Sequence, residues 1–130
     1  MTSSKSLIEA WKTKSDSDLL TCQRLLSFDD PTVDTILFHA QQAVEKALKA
    51  YLISKKTHFS NTHDLRYLQQ LAKQHDGSFD QLDEIASMNA YAVEIRYPES
   101  IEWLNEVDVN DVVRQADHVC KFIWLRVNNL

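Results

Sequence analysis

The chain reads as an all-α protein built as an antiparallel helical bundle, and three features of the sequence say so. One glycine and two prolines in 130 residues leave few turn-formers, so the elements must be long and the short connections few. Apolar residues recur at helical rather than strand spacing through most of the chain. Serine, aspartate and asparagine stand where these runs begin, as N-caps do. A chain of this length is expected to form one domain that buries about two thirds of its unfolded surface.

Residues 6–27 give the first predicted helix. Ser6 followed by Glu9 forms a capping box, and Leu7, Ile8, Trp11, Leu19, Cys22, Leu25 and Leu26 supply an apolar stripe. Lys14, Ser15 and Asp18 interrupt that stripe, so the turn is either frayed or holds a buried polar contact. Asp29-Asp30-Pro31 then ends one helix and starts the next, with Asp30 as cap and Pro31 in the first helical position.

The second helix, expected to run to about Ser54, is the spine. Val33, Ile36, Leu37, Ala40, Ala43, Val44, Ala47, Leu48, Ala50, Tyr51 and Leu52 fill one arc of roughly 200°. An arc that wide predicts a central helix with several neighbours, and the alanines let other backbones come close. The opposite arc carries Phe38, His39, Gln42, Glu45, Lys46, Lys49 and Ile53. His39, Gln42 and Lys46 lie along one line of it, and Glu45 precedes Lys49 by one turn as a favourable surface pair. This face reads as solvated surface; the sharper alternative is a polar site or an oligomer contact, since Phe38 and Ile53 are apolar on the wrong side.

Residues 55–62 form a polar connection. Asn61 or Thr62 is expected to cap a third helix, with Asp64 in its first turn and Leu65, Leu68, Leu71 and Ala72 along its buried edge. His75-Asp76-Gly77 ends that helix, the glycine serving as a left-handed cap. Ser78 and Gln81 make a capping box for a fourth helix through Leu82, Ile85 and Ala86 to about Val93. Residues 94–105 look irregular, because Pro98 cannot continue a helix and biases Tyr97 away from helical angles. Asp108 or Asn110 caps a last helix that turns Val112, Val113, Ala116, Val119, Cys120, Ile123 and Trp124 inward.

Composition narrows the function classes. No apolar run of signal-peptide or membrane-spanning length is present, which predicts a soluble, cytoplasmic protein without a membrane partner. Cys22 and Cys120 fall on apolar helix faces and read as core thiols rather than a disulfide. The net charge of −5 disfavours broad nucleic-acid binding. Residues 76–117 hold eleven Asp/Glu against two Lys/Arg; this reads as a solvated acidic surface, with docking on a basic partner as the alternative. His58, His63 and His75 lack metal-ligand spacing, so neither a metal nor another cofactor is expected. There is no nucleophile elbow, phosphate-cradling glycine loop or cysteine in a polar setting. His118 reads as a packed histidine bonded to a neighbour. Phe38, Ile53, Trp103 and Trp124 are eligible as exposed apolar contacts.

Arg96-Tyr97-Pro98 stands where a helix breaks. There a guanidinium can grip a phosphate bidentately and a phenol can stack a base. Equally, Arg96 can pair with Glu94, Glu99 or Glu102 and pin the loop.

Three motifs in order, Phe38-His39-Ala40-Gln41-Gln42-Ala43-Val44-Glu45-Lys46-Ala47-Leu48-Lys49-Ala50, then Thr62-His63-Asp64-Leu65, then Arg96-Tyr97-Pro98, resemble those of the HEPN family of small helical domains. The resemblance spans about Leu7 to Leu125. It implies a single HEPN-like domain over residues 1–130, folded as an antiparallel up-and-down four-helix bundle with an additional short helix. One branch of the family consists of metal-independent ribonucleases, often toxins of toxin–antitoxin pairs, that join an arginine to a histidine a few residues downstream. Counted from Arg96 that histidine belongs at 101, 102 or 103, and those positions are Ile101, Glu102 and Trp103. The other branch lacks the pair and resembles partner subunits of minimal nucleotidyltransferases. The resemblance therefore implies a non-catalytic binding module without catalytic residues. It would be a homodimer, with a minimal nucleotidyltransferase and a nucleotide as candidate partners. Its candidate contacts are His39, Gln42 and Lys46 on the spine with Arg96 and Tyr97 at the break. The alternative is a ribonuclease toxin with a degenerate site.

Overall fold

The computed structural model describes residues 4–92 and 97–127. Among them every regular element is helical: α1 (Ser4–Leu26), α2 (Val33–Ser54), α3 (Leu65–Lys73), α4 (Glu84–Met88), α5 (Ile101–Leu104) and α6 (Val109–Trp124). Short 3-10 turns at Gly77–Gln81, Asn89–Ala92 and Pro98–Ser100 complete the set. No helix of the described residues is long and apolar enough to cross a membrane.

The spine lies where the alanine-rich arc predicts. α2 packs against α1, α3, α4, α6 and the 89–92 turn. Ala40, Ala43, Ala47 and Ala50 are fully buried, as are Ile36, Leu37, Val44, Leu48 and Leu52. Small side chains let the neighbours sit close enough for hydrogen bonds to reach across. Ser15 Oγ donates to the Ala43 carbonyl at 2.8 Å, and Cys22 Sγ donates to the Ile36 carbonyl at 3.3 Å. Partner numbers on α2 fall as those on α1 rise, so the two helices run antiparallel. Ser15 also meets Cys120 of α6 at 3.9 Å, which makes this the point where three helices converge. At the other end of α2, Tyr51, Phe79 and Phe122 form an aromatic chain with centroids 4.6 and 5.5 Å apart. Arg126 closes it, stacked 3.5 Å over the Phe122 ring and paired with Asp76 at 3.3 Å.

Several boundaries differ from expectation for local reasons. Ser6 stands inside α1 and not at its start, since nothing at positions 4 and 5 breaks a helix. α2 begins after Pro31: Thr32 stays extended as N-cap without a side-chain bond, so the Asp30 cap is not made. Asp64, rather than Asn61 or Thr62, caps α3, accepting from the Arg66 and Tyr67 amides, while Thr62 Oγ1 accepts from the Asp64 amide. The expected fourth helix is divided. Asp76 captures both the amide and the hydroxyl of Ser78, and the Phe79 and Leu82 carbonyls accept the amides three residues on, at 3-10 spacing, with Gln69 Nε2 as their second donor. Gly77 has no left-handed conformation; the positive φ, 56°, is at Lys56. There the Thr57 amide reaches the Leu52 carbonyl and the Lys56 amide the Ile53 carbonyl, which is a Schellman ending with lysine where glycine is usual. Part of the expected irregular stretch, residues 98–104, is helical. Of the two expected caps of α6, Asp108 is the one used, accepting from the Asp111 amide. His118 is exposed on α6 and not packed. Phe38, Ile53 and Trp124 are half-buried against the core rather than free, whereas Trp103 is exposed as expected, meeting Tyr91 edge-on at 5.6 Å.

Two predictions follow from this packing. Lys56→Gly removes the steric cost of a left-handed lysine, partly offset by glycine's greater freedom when unfolded, and should raise stability by about 0.5–1 kcal/mol in urea titrations. Burial pushes the thiols of Cys22 and Cys120, both free, from 9.0 up to about 12. The unfolded chain therefore releases these protons first. The stability these thiols contribute is full below pH 9.0 and is lost as pH rises toward about 12. Neither thiol should react with a disulfide reagent at mildly alkaline pH until denaturant is added.

Candidate functional site

The polar face of α2 is drawn into two seams. It is not the solvated surface its spacing predicts. In the first, α1 supplies Asp18, which is nearly buried because it interrupts the apolar stripe at the α1–α2 contact. Its carboxylate receives Lys46 Nζ at 2.6 Å on one oxygen and His39 Nδ1 at 2.8 Å on the other. A carboxylate can only accept, so His39 carries a proton on Nδ1 and turns Nε2 outward. His39 and Lys46 keep 29% and 20% of their side chains accessible, enough to meet a partner while anchored.

The second seam is deeper. Glu45 and Lys49, expected as a surface pair, are buried together with 3.1 Å between Oε2 and Nζ. The reason is that α1 and the start of α3 both close over this side of α2: the Lys49 ammonium lies 5.7 Å from the centre of the Trp11 ring, and His63 Nδ1 donates to Glu45 Oε1 at 2.8 Å. Buried Gln41 completes the seam, with Nε2 donating to the His63 carbonyl at 3.0 Å and Oε1 accepting from Gln42 at 2.7 Å. An ion pair so enclosed is sustained when its remaining polar atoms also find partners. Here both Glu45 oxygens are bonded, and the Lys49 ammonium lies against the Trp11 ring.

Of the residues singled out in the sequence, His39 and Lys46 are brought together on Asp18. Gln42 is not, since its amide turns to Gln41 and the second seam. Tyr97 is exposed at the start of the 98–100 turn, and Arg96 lies outside the described residues. Sequence reasoning missed Asp18 as the anchor of the first seam and Gln41, Glu45, Lys49 and His63 as the connected set of the second. The break in the α1 stripe at Asp18 and the Thr62-His63-Asp64 motif were the available signals. Beside the second seam, Thr62, His63, Asp64 and Asn89 line an open cavity of about 440 Å³.

The family model described as HEPN domain matches residues 8–127, a range that contains both seams and the cavity. No curated protein and no solved structure matches the chain.

Asp18→Ala should cost about 1–3 kcal/mol, because it leaves two partly buried donors without their acceptor. The drop would be read as a lower denaturation midpoint with an unchanged slope against denaturant.

Proposed function

The chain belongs to the HEPN domain family, and from that premise we propose that it is a non-catalytic binding module, a homodimer that partners a minimal nucleotidyltransferase and takes up nucleotide. The observation that carries this reading is the content of positions 101–103. Ile101, Glu102 and Trp103 stand where the ribonuclease branch needs an imidazole, so the general acid/base step has no agent at the spacing that branch uses.

In this reading the domain covers residues 1–130 and acts in the cytoplasm. The four bundle helices are α1, α2, α3 and α6, with the short pieces between α3 and α6 as the added element. His39 and Lys46, steadied by Asp18, present the outer edge of the first seam to the partner or ligand. Gln42 lies between them, and Arg96 and Tyr97 supply a phosphate grip and a stacking surface at the break.

A ribonuclease toxin with an altered site is the second reading. His63, oriented by Glu45, is the observation in its favour, since it is an imidazole delivered from elsewhere in the chain. Growth arrest on expression, lost in Arg96→Ala, would replace the first reading with this one.

The first reading is tested by co-expression with a neighbouring open reading frame that encodes a nucleotidyltransferase, followed by affinity capture. The two proteins should co-purify. Adenosine triphosphate at a hundred times its dissociation constant should stabilise the fold by ~2.7 kcal/mol. Separate elution together with an unmoved melting transition would reject the proposal.

A further inference from the structure

We infer that the cavity beside α3 is a sugar-binding site in which His63 and Asp64 receive the two hydroxyls of a ribose. The inference rests on the nucleotide reading above and names the part of the ligand that enters.

Glu45 is already neutralised by Lys49, and its Oε1 also lies 3.5 Å from Gln41 Nε2. It does not need His63 as a rescuing charge. The bond from Nδ1 instead sets the ring: with that proton engaged, Nε2 is left as an acceptor. The bond from Gln41 to the His63 carbonyl holds the backbone from behind. The ring is nonetheless 58% exposed and lines the cavity, so a ring held from one side stands accessible on the other.

Asp64 contributes the second acceptor. Its Oδ1 takes the Arg66 and Tyr67 amides and Asn89 Nδ2, while Oδ2 has no such duty among the described residues. Thr62 Oγ1 accepts from the Asp64 amide and keeps its own proton to donate. The Asn89 side chain is spent on both sides, on the Leu65 amide and on Asp64.

That inventory selects a ligand by chemistry. The first amides of α3 are all satisfied internally, so the helix start has nothing to offer a phosphate, and the Asp64 charge repels one. Consecutive residues lining one cavity, each keeping one acceptor, suit a vicinal diol, which brings two O–H donors, and the Thr62 hydroxyl lines the same cavity with a proton to give. A cavity of about 440 Å³ is of the size that holds small ligands, and it leaves phosphates to project into solvent.

The test is an NMR titration of the isotope-labelled full chain with adenosine triphosphate and with dideoxyadenosine triphosphate, which lacks both sugar hydroxyls. The ribonucleotide should shift the amides of residues 62–65 and 89, and the dideoxy analogue should bind about tenfold or more weakly. Asp64→Asn keeps the helix cap, because asparagine caps as well as aspartate, but replaces the free acceptor by a donor. It should weaken ribonucleotide binding and erase the preference over the dideoxy form. Equal affinity for the two nucleotides, or shifts confined to the His39–Lys46 seam, would overturn the sugar site while leaving nucleotide binding in place. No response of the wild-type spectrum to either nucleotide would overturn both. The comparison of the two ligands needs no variant, so a misfolded Asp64→Asn cannot obscure it.

Discussion

The buried Glu45–Lys49 pair is the constraint from which most of this architecture can be read. α2 is enclosed by α1, α3, α4 and α6, and a helix enclosed on so many sides cannot leave its polar residues to water. Separated, either charge would be an uncompensated ion in a low-dielectric interior, a penalty of several kcal/mol. Keeping the pair therefore obliges the surroundings to finish it. Trp11 of α1 covers the ammonium, His63 bonds the carboxylate, and Gln41 holds the His63 carbonyl. Where α3 begins is thus tied to a charge on α2 eighteen residues earlier.

The same logic explains the first helix. A stripe interrupted by Ser15 and Asp18 looks poor as an amphipathic surface, yet both interruptions are answered across the seam. Ser15 is received by the Ala43 carbonyl and Asp18 by His39 and Lys46. Apolar burial alone allows α1 to slide or rotate against α2, because it has no direction. Hydrogen bonds at defined positions remove that freedom and fix the antiparallel register. Alanines at the contact are what bring the backbones near enough for a side chain as short as serine to reach.

For function, the arrangement separates two kinds of polar residue. Gln41, Glu45 and Lys49 are consumed by the fold. His39, Lys46 and His63 are anchored at one end and accessible at the other, the condition for a binding group that does not have to be ordered when the ligand arrives. The anchored groups come from the first two of the motifs that carry the family resemblance, so those motifs hold the fold together and also leave polar groups accessible on its surface.

Local chemistry accounts for what could be read from the residues alone: the all-helical class, the central position of α2, the core faces of α3 and α6, the Asp108 cap and two buried thiols. Each follows from spacing of about 3.6 residues or from a single side chain meeting its own backbone. What escaped that reading depends on residues far apart in the chain. Glu45 and Lys49 carry the spacing of a surface pair, and they are buried because α1 and the start of α3 cover them. Ser78 has the sequence of a cap, yet Asp76 claims it, and Gln69, from another helix, adds a second donor to carbonyls that then bond at 3-10 spacing. His39 and Lys46 were legible as a pair on one face, but their shared partner Asp18 lies on another helix. Helical periodicity identifies which side chains share a face; it carries no information about what will be packed against that face, and that second fact decides whether a charge is solvated, paired or poised to bind.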